Sequence, residues 1–444
     1  MLAILGFLTV IIMLALVMSK KASPTVALIG VPVLTGIVAS FFTTGEGAYN
    51  ILGLGKFITS GIGTVAATGV MFIFSILFFG ILTDAGTFRP IIKRILDIIG
   101  TDPVKIAIGT AILAMIVHLD GSGAVTFLIC IPALLPVYDA VGMSRGTLAT
   151  IVALAAGTMN IVPWGGPTIR AATAIEMNVM DLFNPVVIPL IFGLITVLIF
   201  AFFLGKKEKK RLGDIYSTEM KTMEQELTEE QKSLLRPNLF LVNIGLILLA
   251  IFGLIVGGKY GIKPEVVFMI SFVLAIIINY PDVSMQKSRV DAHAKSAILM
   301  ASVLFAAGAF TGIMKGSGMI TAMSESLVSI IPASAAKYFA IITGIISMPA
   351  SLLFDPDSFY FGVLPVLSST AKGFGIDGVY IARAAILGQM TTGFPVSPLT
   401  PSTFLLIGLA GVDFGEHQKK TIPYAFLVTI VMLIVSVVTG AIRI

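Results

Sequence analysis

Two short acidic segments interrupt long apolar runs in this sequence, HLDGSGA at residues 118–124 and FDPDSFY at residues 354–360. The side chains able to do chemistry there are His118, Asp120, Ser122, Asp355, Asp357 and Ser358. Carboxylate and hydroxyl oxygens are the ligands that hard divalent cations such as Mg²⁺ or Ca²⁺ prefer. The pattern therefore predicts Asp120, Asp355 and Asp357 as metal ligands. Ser122, Gly123 and Ser358 are predicted contacts for a substrate.

Each acidic segment follows an apolar run that should end inside a membrane, and each precedes a short apolar arm that closes with a proline (IPALLPV and GVLPV). An unpaired ionisable group inside a bilayer costs at least about 2.5–3.5 kcal/mol, so such a group is a functional candidate. We expect hairpins near 119–138 and 354–371, and proton coupling by His118, Asp120 or Asp355. Two alternatives stay open: the acids cap hairpin tips at the water interface, and His118 packs without carrying a proton.

Two further segments break apolar helices, NIVPWGGPTIR at residues 160–170 and TTGFPVSPLTPSTF at residues 391–404. Proline removes a backbone donor, and glycine permits close approach of the backbone. Within hydrocarbon an unpaired N–H or C=O costs several kcal/mol, so a helix broken there needs protein, water or a ligand to satisfy it. A helix that starts inside the membrane offers free N–H groups and a positive dipole end, which suit a carboxylate. The breaks therefore indicate a site for an anion, with packing alone as the alternative.

The second break has the residue types of a helix start. Thr400 is typical of an N-cap and Pro401 of the first helical position, and Gly166 and Pro167 play the same parts in the first break. The predicted substrate contacts of the two breaks are Asn160, Gly165, Gly166, Pro167, Thr168, Arg170, Ser397, Thr400, Pro401, Ser402 and Thr403.

Arg170 follows Pro167 by three residues, one turn into the helix after the first break. Its planar guanidinium could clamp a substrate carboxylate through two hydrogen bonds. It could equally snorkel to the membrane interface or pair with Asp120. The matching position in the second break is Ser402, so a comparison of the two breaks does not decide among these interpretations.

The composition restricts the class of protein that carries these segments. Of the 444 residues, 57% are hydrophobic and 12% are charged, whereas a soluble domain has about 25% charged residues. Apolar runs of about 17 to 22 residues recur along the chain, the length that a helix needs to cross a bilayer core. We predict an all-α polytopic protein of the cytoplasmic membrane of a bacterium, with the lipid bilayer as a partner.

Several other classes are disfavoured by the sequence. No Lys/Arg patch is interleaved with aromatic residues, which argues against a nucleic-acid partner despite an isoelectric point of about 9.1. The lone Cys130 excludes an internal disulfide and any multi-cysteine metal site. No Ser-His-Asp order, HExxH or Walker A motif is present. We therefore expect no enzyme and no permanently bound cofactor.

The two halves of the chain resemble each other, since GILTDAG at 80–86 aligns with GIMKGSG at 312–318. Three further pairs of identical residues are separated by nearly the same interval: Pro163 and Pro395, Thr168 and Thr400, and Asp120 and Asp355. We predict a first repeat over 1–204, a charged cytoplasmic linker over 205–236 and a second repeat over 237–444. Basic residues near span ends favour the cytoplasm and give matched helices opposite directions. Inverted repeats with interrupted helices are the architecture of secondary transporters.

These motifs carry a resemblance to a known family. HLDGSGA, NIVPWGGPTIR, DPDSFYFGVLPV, ILFFGILTDAG and the long GQMTTGFPVSPLTPSTFLLIGLAGVDFGEHQK are similar to segments of the citrate–metal:proton symporter family, within the ion transporter superfamily. The resemblance covers essentially the whole chain. The first acidic segment departs from the family pattern, which often reads LDGDG with a second acid where this chain has Ser122, and which has a less polar residue at the position of His118.

The resemblance implies uptake of citrate in complex with a divalent cation of the Mg²⁺ or Ca²⁺ type, driven by protons. It also implies inverted repeats with re-entrant hairpins and discontinuous helices, divided into a scaffold and a transport domain, in a homodimer. Two other functions stay open: a metal-independent proton symporter for another carboxylate, such as gluconate or a dicarboxylate, and, more remotely, a membrane enzyme.

Overall fold

The fold is all-helical, as predicted. The computed structural model describes residues 1–19, 21–43, 48–213, 228–257, 260–332 and 336–443, and no β-strand occurs within these ranges. The helices of the first half are α1 (Leu2–Met18), α2 (Pro24–Ser40), α3 (Ile51–Asp84), α4 (Arg89–Ile99), α5 (Pro103–Val117), α6 (Gly123–Val141), α7 (Arg145–Met159), α8 (Gly166–Ala174), α9 (Val179–Phe183) and α10 (Val187–Leu212).

The second half also contains long and short helices. A short helix α11 (Glu229–Leu234) leads into α12 (Phe240–Gly257), α13 (Pro264–Asn279), α14 (Val283–Gly316), α15 (Met319–Ile330), α16 (Phe339–Ala350), a π-helix (Ser358–Val363) continued by α17 (Leu364–Gly373), α18 (Gly378–Ile386), α19 (Pro401–Ala410) and α20 (Phe414–Val438). The helices α3 and α14 have the same length of 34 residues.

Seven helical segments of the described chain are long and apolar enough to cross a membrane. They are Ile51–Asp84, Pro103–Asp120, Gly123–Val141, Val179–Leu212, Gln231–Leu254, Val283–Gly316 and Phe414–Val438. Large apolar side chains point outward on several of these helices, for example Ile188, Leu241 and Phe252. An outer surface of this kind suits lipid, and the chain is a multi-pass membrane protein.

The helices α3 and α14 pack directly on each other through glycines. A methyl group on Gly61 would come within 2.0 Å of the Gly308 carbonyl oxygen and 2.9 Å of the Cα atom of Gly312, while one on Gly80 would lie 2.7 Å from the His293 ring. Residue numbers therefore rise along α3 as they fall along α14, so the two helices are antiparallel. Small residues permit this close approach of backbones within a membrane.

These two contacts also correspond to each other under the predicted repeat. The interval from Gly61 to His293 equals the interval from Gly80 to Gly312, and both equal the interval at which the two halves of the sequence align. The contact between Gly61 and Gly312 therefore becomes the contact between His293 and Gly80 when the halves are exchanged. Such a reciprocal contact is expected when an approximate two-fold axis relates two antiparallel copies.

The turns of the two halves match as well. Gly86 has φ +75° and Gly318 has φ +76°, while Gly142 has φ +79° and Gly375 has φ +77°. Each of these glycines ends a helix or a turn in the left-handed region that side chains disfavour. The spacing of glycines that indicated a repeat in the sequence therefore reflects equivalent turns.

The predicted linker contains ordered helix at both ends. The helix α10 continues through Leu212, beyond residue 204, and Glu208 is buried there, where its carboxylate accepts hydrogen bonds from the Thr147 hydroxyl and, at 3.3 Å, from the Ser144 amide. At the other end, Thr228 caps α11 in a capping box with Gln231. Residues 214–227 lie outside the described part of the chain.

Candidate functional site

The first broken helix ends with α7 at Met159 and restarts with α8 at Gly166. Gly165 is extended (φ −69°, ψ 143°) and is the N-cap residue of α8, one residue earlier than the predicted Gly166. Its carbonyl oxygen accepts the first hydrogen bond of the helix, from the Ile169 amide at 3.1 Å. A methyl group on Gly165 would lie 2.2 Å from the Asn160 carbonyl oxygen, so only glycine fits. Pro167 occupies the first turn of α8, where no donor is needed.

The second broken helix ends with α18 at Ile386 and restarts with α19 at Pro401, with Thr400 as the N-cap residue as predicted. The Thr400 hydroxyl does not cap the helix: it donates to the Phe394 carbonyl oxygen at 2.8 Å. The buried Thr403 hydroxyl donates to the same oxygen at 2.9 Å. The same oxygen accepts the Ser397 amide at 3.3 Å, so both threonines stabilise the short 3-10 turn inside the break.

The two breaks adjoin inside the protein. The Asn160 side-chain amide donates to the Met390 carbonyl oxygen at 2.8 Å, and a methyl group on Gly157 would come within 2.8 Å of the Thr391 carbonyl oxygen. Trp164 of the first break is 6% exposed, and Ser397 of the second break is 0% exposed. The broken segments thus meet in the interior and do not lie on opposite outer faces.

The first acidic tip lies against this junction. The His118 ring is fully buried, with Nδ1 2.8 Å from the Thr126 hydroxyl and Nε2 3.4 Å from the Asn160 side-chain oxygen. Its ring also stacks on Phe394 of the second break, with the ring centroids 6.1 Å apart. Because Asn160 donates its amide to Met390, its oxygen faces His118 and the Nε2 atom must carry a hydrogen.

Asp120 and Ser122 order the backbone of the first tip. One carboxylate oxygen of Asp120 accepts the Ser122 amide at 2.8 Å, and the Ser122 hydroxyl accepts the Val125 amide at 3.4 Å at the start of α6. Asp120, Ser122 and Gly123 are all partly exposed. The tip is therefore both ordered and accessible.

The second acidic tip has the same local geometry. Asp355 accepts the amides of Asp357 and Ser358, each at 3.1 Å, and the Ser358 hydroxyl. The bond from the Asp357 amide to Asp355 is the counterpart, in the second half, of the bond from the Ser122 amide to Asp120. Asp355 therefore structures this tip, and its carboxylate is largely engaged with backbone and side-chain donors.

Asp357 binds Arg170 of the first break. The Arg170 Nε atom lies 2.7 Å from an Asp357 carboxylate oxygen, and the two side chains are 10% and 11% exposed. Of the alternatives for Arg170, neither the pair with Asp120 nor snorkelling to the interface occurs. The helix α8 packs against the π-helix of the second tip and holds the guanidinium in the interior. This buried ion pair joins the two halves of the protein.

The predicted metal ligands lie on two separate tips. No group of three or more His, Cys, Asp or Glu side chains able to hold a metal ion occurs in the part of the chain that the structure describes. The assignment of Asp120, Asp355 and Asp357 as metal ligands thus stays a prediction.

The predicted hydroxyl contacts separate into two groups. The hydroxyls of Thr168 and Ser397 are buried and donate to the carbonyl oxygens of Ile161 and Ser351 at 2.7 and 2.5 Å. They support the broken backbone in the same way as Thr403. Ser402 differs, since it is half-buried and makes no hydrogen bond with the described residues. Its hydroxyl lies 3.7 Å from a methyl group placed on Gly123, so it faces the first tip.

Several residues of the junction were missed by sequence reasoning. Met390 has φ +51°, a left-handed conformation that is uncommon for a residue other than glycine. Its amide donates to the Ser351 hydroxyl at 2.8 Å, and the Tyr360 hydroxyl donates to the neighbouring Gln389 carbonyl oxygen at 2.7 Å. The polar Gln389 at the end of an apolar helix, in the string GQMTTG, was the available signal.

A polytopic helical protein in which two broken helices and two acidic tips meet at buried polar groups has the construction of a secondary transporter. Comparison with known proteins gives the same class. A family model described as citrate transporter matches residues 10–388. This chain belongs to the citrate transporter family, which confirms the resemblance of the motifs and disfavours the interpretation as an enzyme.

Relatives and a solved structure agree with this assignment. A citrate transporter of Bacillus subtilis (strain 168) is 42% identical over 442 residues, and a Mg(2+)/citrate complex secondary transporter of the same organism is 40% identical over 444 residues, each match covering 100% of both chains. The crystal structure of the YdaH transporter from Alcanivorax borkumensis has a TM-score of 0.64 at 14% identity, covering 94% of this chain and 98% of that one. This last likeness concerns the fold alone.

Proposed function

We propose that this protein takes up citrate as a complex with a divalent cation of the Mg²⁺ or Ca²⁺ type, coupled to protons, across the cytoplasmic membrane of a bacterium. The observation that carries the proposal is the contact between the two breaks, where Asn160 donates to Met390. It joins the two interrupted helices in the interior, and other contacts bring the first acidic tip to Asn160 and the second to Arg170. In inverted-repeat transporters such a region is the place where the substrate binds.

The helix starts supply the groups for an anion. The helices α8 and α19 each begin at a break, and the first N–H groups of a helix have no partner within the helix. Together with the dipole they favour a carboxylate. The Ser402 hydroxyl, in the first turn of α19, adds a donor that is not engaged by the described residues. Both ends of a polycarboxylate then have a binding surface.

Moving the metal complex of citrate into this interior costs less desolvation free energy than moving free citrate there. A trianion combined with a divalent cation carries a net charge of about −1, and desolvation costs fall steeply as the charge falls. Citrate also brings several oxygen ligands, so the protein need not supply a complete coordination shell. The acids lie on two separate tips and do not form a group of three ligands among the described residues, which agrees with citrate supplying part of the coordination shell.

Proton coupling is assigned to His118, Asp120 and Asp355. The hydrogen-bond network around His118 suits both protonation states. In the neutral ring Nδ1 accepts from the Thr126 hydroxyl; in the charged ring Nδ1 donates to that oxygen, and Thr126 turns its hydrogen to the Ser122 carbonyl oxygen at 2.8 Å. If two or more protons accompany the complex, positive charge moves inward and the membrane potential contributes about 2.3 kcal/mol per charge per 100 mV.

The test is uptake of radiolabelled citrate into proteoliposomes, with Mg²⁺ or Ca²⁺ in excess and with EDTA. We expect uptake only with the cation, and faster uptake when the outside is more acidic. Uptake unchanged by EDTA would instead favour the metal-independent symporter for citrate or another carboxylate, which unlabelled gluconate and dicarboxylates would identify by competition.

Coupling is tested with Asp120→Asn and Asp355→Asn, because an asparagine oxygen can still accept the backbone amides that order each tip. We expect both variants to bind the complex but to lose accumulation driven by a pH gradient. Normal pH-dependent accumulation by both variants would place the coupling acids elsewhere in the protein.

A further inference from the structure

The buried Arg170–Asp357 pair uses only part of its hydrogen-bonding capacity. A single bond of 2.7 Å joins Nε to one carboxylate oxygen. Neither the terminal nitrogens of Arg170 nor the second carboxylate oxygen of Asp357 have a hydrogen-bond partner among the described residues. Buried ions are stable when their remaining donors and acceptors are satisfied. The pair therefore has free positions for a further ligand of each sign.

On one side Arg170 faces an apolar cavity without a polar partner among the described residues. The cavity beside Arg170 has a volume of about 10 Å³, room for one water molecule at most, and apart from Arg170 it is lined by Phe72, Ile169, Met300, Val303, Leu304 and Phe361. This apolar lining gives a water molecule no second polar contact. The free positions of the pair are thus not explained by solvent on that side.

Each tip faces the break of the other half, and only one of these two equivalent places carries charged side chains. Asp357 occupies the position in the second tip that Ser122 occupies in the first, and Ser402 occupies the position in the second break that Arg170 occupies in the first. The equivalent of the ion pair is therefore a pair of neutral serines, and the first tip does pack on α19 next to Ser402. One end of the interior region is charged with both signs, and the other end presents hydroxyl groups.

We infer that the bound metal–carboxylate complex exchanges partners with the Arg170–Asp357 pair, the cation binding Asp357 and a carboxylate of the complex binding Arg170. This inference rests on the proposed function. It attributes to Arg170 and Asp357 the selection of the complex over free citrate and over the free cation. Free citrate would pair with Arg170 but leave Asp357 facing a trianion. A free cation would pair with Asp357 but leave Arg170 facing a dication. Only a ligand that carries both signs replaces both partners, and an uncompensated buried charge is strongly unfavourable.

The orientation of the substrate follows from the same asymmetry. The cation and its coordinating carboxylate lie toward α8 and the second tip, where Arg170 and Asp357 are. The remaining polar groups of the substrate lie toward Ser122 and Ser402, where a carboxyl or hydroxyl group accepts or donates without a charged partner. A simple monocarboxylate would reach one end only.

The experiment compares citrate uptake with excess Mg²⁺ and with EDTA in wild type, Asp357→Asn and a control, Glu176→Gln. The control breaks another ion pair between the halves, that of Glu176 with Lys315, whose side chain is exposed. We expect the ratio of the two uptake rates to fall by about tenfold to a hundredfold in Asp357→Asn, the range for loss of one charge-assisted contact. The control should keep the wild-type ratio.

A wild-type ratio in a folded Asp357→Asn protein would overturn the inference while leaving the proposed function intact. Wild type without citrate uptake, or with uptake that neither Mg²⁺ nor Ca²⁺ stimulates, would instead refute the proposed function itself.

If Asp357→Asn does not fold, the neutral double variant Arg170→Gln/Asp357→Asn replaces it, because it leaves no buried charge unpaired. Thermal unfolding in detergent with citrate alone and with Mg²⁺–citrate then gives the preference for the complex. We expect this preference to disappear; its persistence at the wild-type value would contradict the exchange.

Discussion

Asn160 donates its side-chain amide to the Met390 carbonyl oxygen at 2.8 Å, and it thereby ties the first broken helix to the second. The same side chain presents its oxygen to His118 at 3.4 Å, so one residue contacts both breaks and the first acidic tip. Asn160 is 9% exposed. A change in the relative position of the two breaks must therefore break or re-form the bond from Asn160 to Met390.

We expect Asn160→Leu to destabilise the protein by about 1–3 kcal/mol, the cost of leaving a buried partner without its hydrogen bond. Both the Met390 carbonyl oxygen and the His118 ring lose a partner. The measurement is thermal unfolding in detergent, followed by binding of Mg²⁺–citrate.

The matched control for Asn160→Leu is Thr110→Val, which removes a buried hydroxyl pair with Tyr138 at 3.0 Å on helices α5 and α6. It should lower stability without weakening binding. Equal losses of binding in the two variants would mean that Asn160 acts through general stability and not through the junction.

The conformation of Met390 gives a second prediction. At φ +51° a side chain branched at Cβ is strongly disfavoured, whereas an unbranched one is tolerated. We expect Met390→Ile to unfold about 1–2 kcal/mol more easily than Met390→Leu, although the two replacements have the same volume. The control is the same pair of substitutions at Met159, the last residue of α7, where the stabilities of the Ile and Leu variants should differ by less. Equal stabilities at Met390 would exclude strain at this position.

Features written in local sequence were predictable. The breaks near 160–170 and 391–404 follow from proline and glycine inside apolar runs, and Pro401 marks the start of α19. The equivalent turns at Gly86 and Gly318 follow from glycines at a constant interval. In each case a few neighbouring residues determine the backbone, so no knowledge of distant contacts is needed.

Contacts between the halves were not predictable in this way. Arg170 and Asp357 are 187 residues apart, and nothing near either residue identifies the other. The pair of Lys315 with Glu176 across 139 residues is a second contact of this kind. The hydroxyl of Thr168 could not be assigned to a substrate or to a carbonyl because that depends on how the break closes.

Ser402 and Thr403 are neighbours with opposite expected roles. We expect Ser402→Ala to keep stability within about 0.5 kcal/mol, since its hydroxyl makes no bond with the described residues, and to weaken binding of Mg²⁺–citrate by about tenfold. Thr403→Val should lower stability by about 1 kcal/mol, because Thr400 still donates to the Phe394 carbonyl oxygen. Thermal unfolding and equilibrium binding of Mg²⁺–citrate, measured on both variants, distinguish the two roles. Wild-type affinity in Ser402→Ala would remove that hydroxyl from the site.

The glycine contact between α3 and α14 gives the last prediction, which concerns the packing of the two halves against each other. A methyl group on Gly312 would lie 2.2 Å from the Phe57 carbonyl oxygen, and backbone cannot move aside without separating the helices. We expect Gly312→Ala to destabilise the protein by about 1–3 kcal/mol or more. Gly63 lies on α3 with no atom within 4 Å of a methyl group, so Gly63→Ala should be neutral or stabilise the helix by up to about 1 kcal/mol. Thermal unfolding of the purified variants in detergent measures both effects. Equal stability of Gly312→Ala and wild type would mean that the two helices are not in backbone contact, and the reciprocal packing that supports an inverted repeat would fail with it.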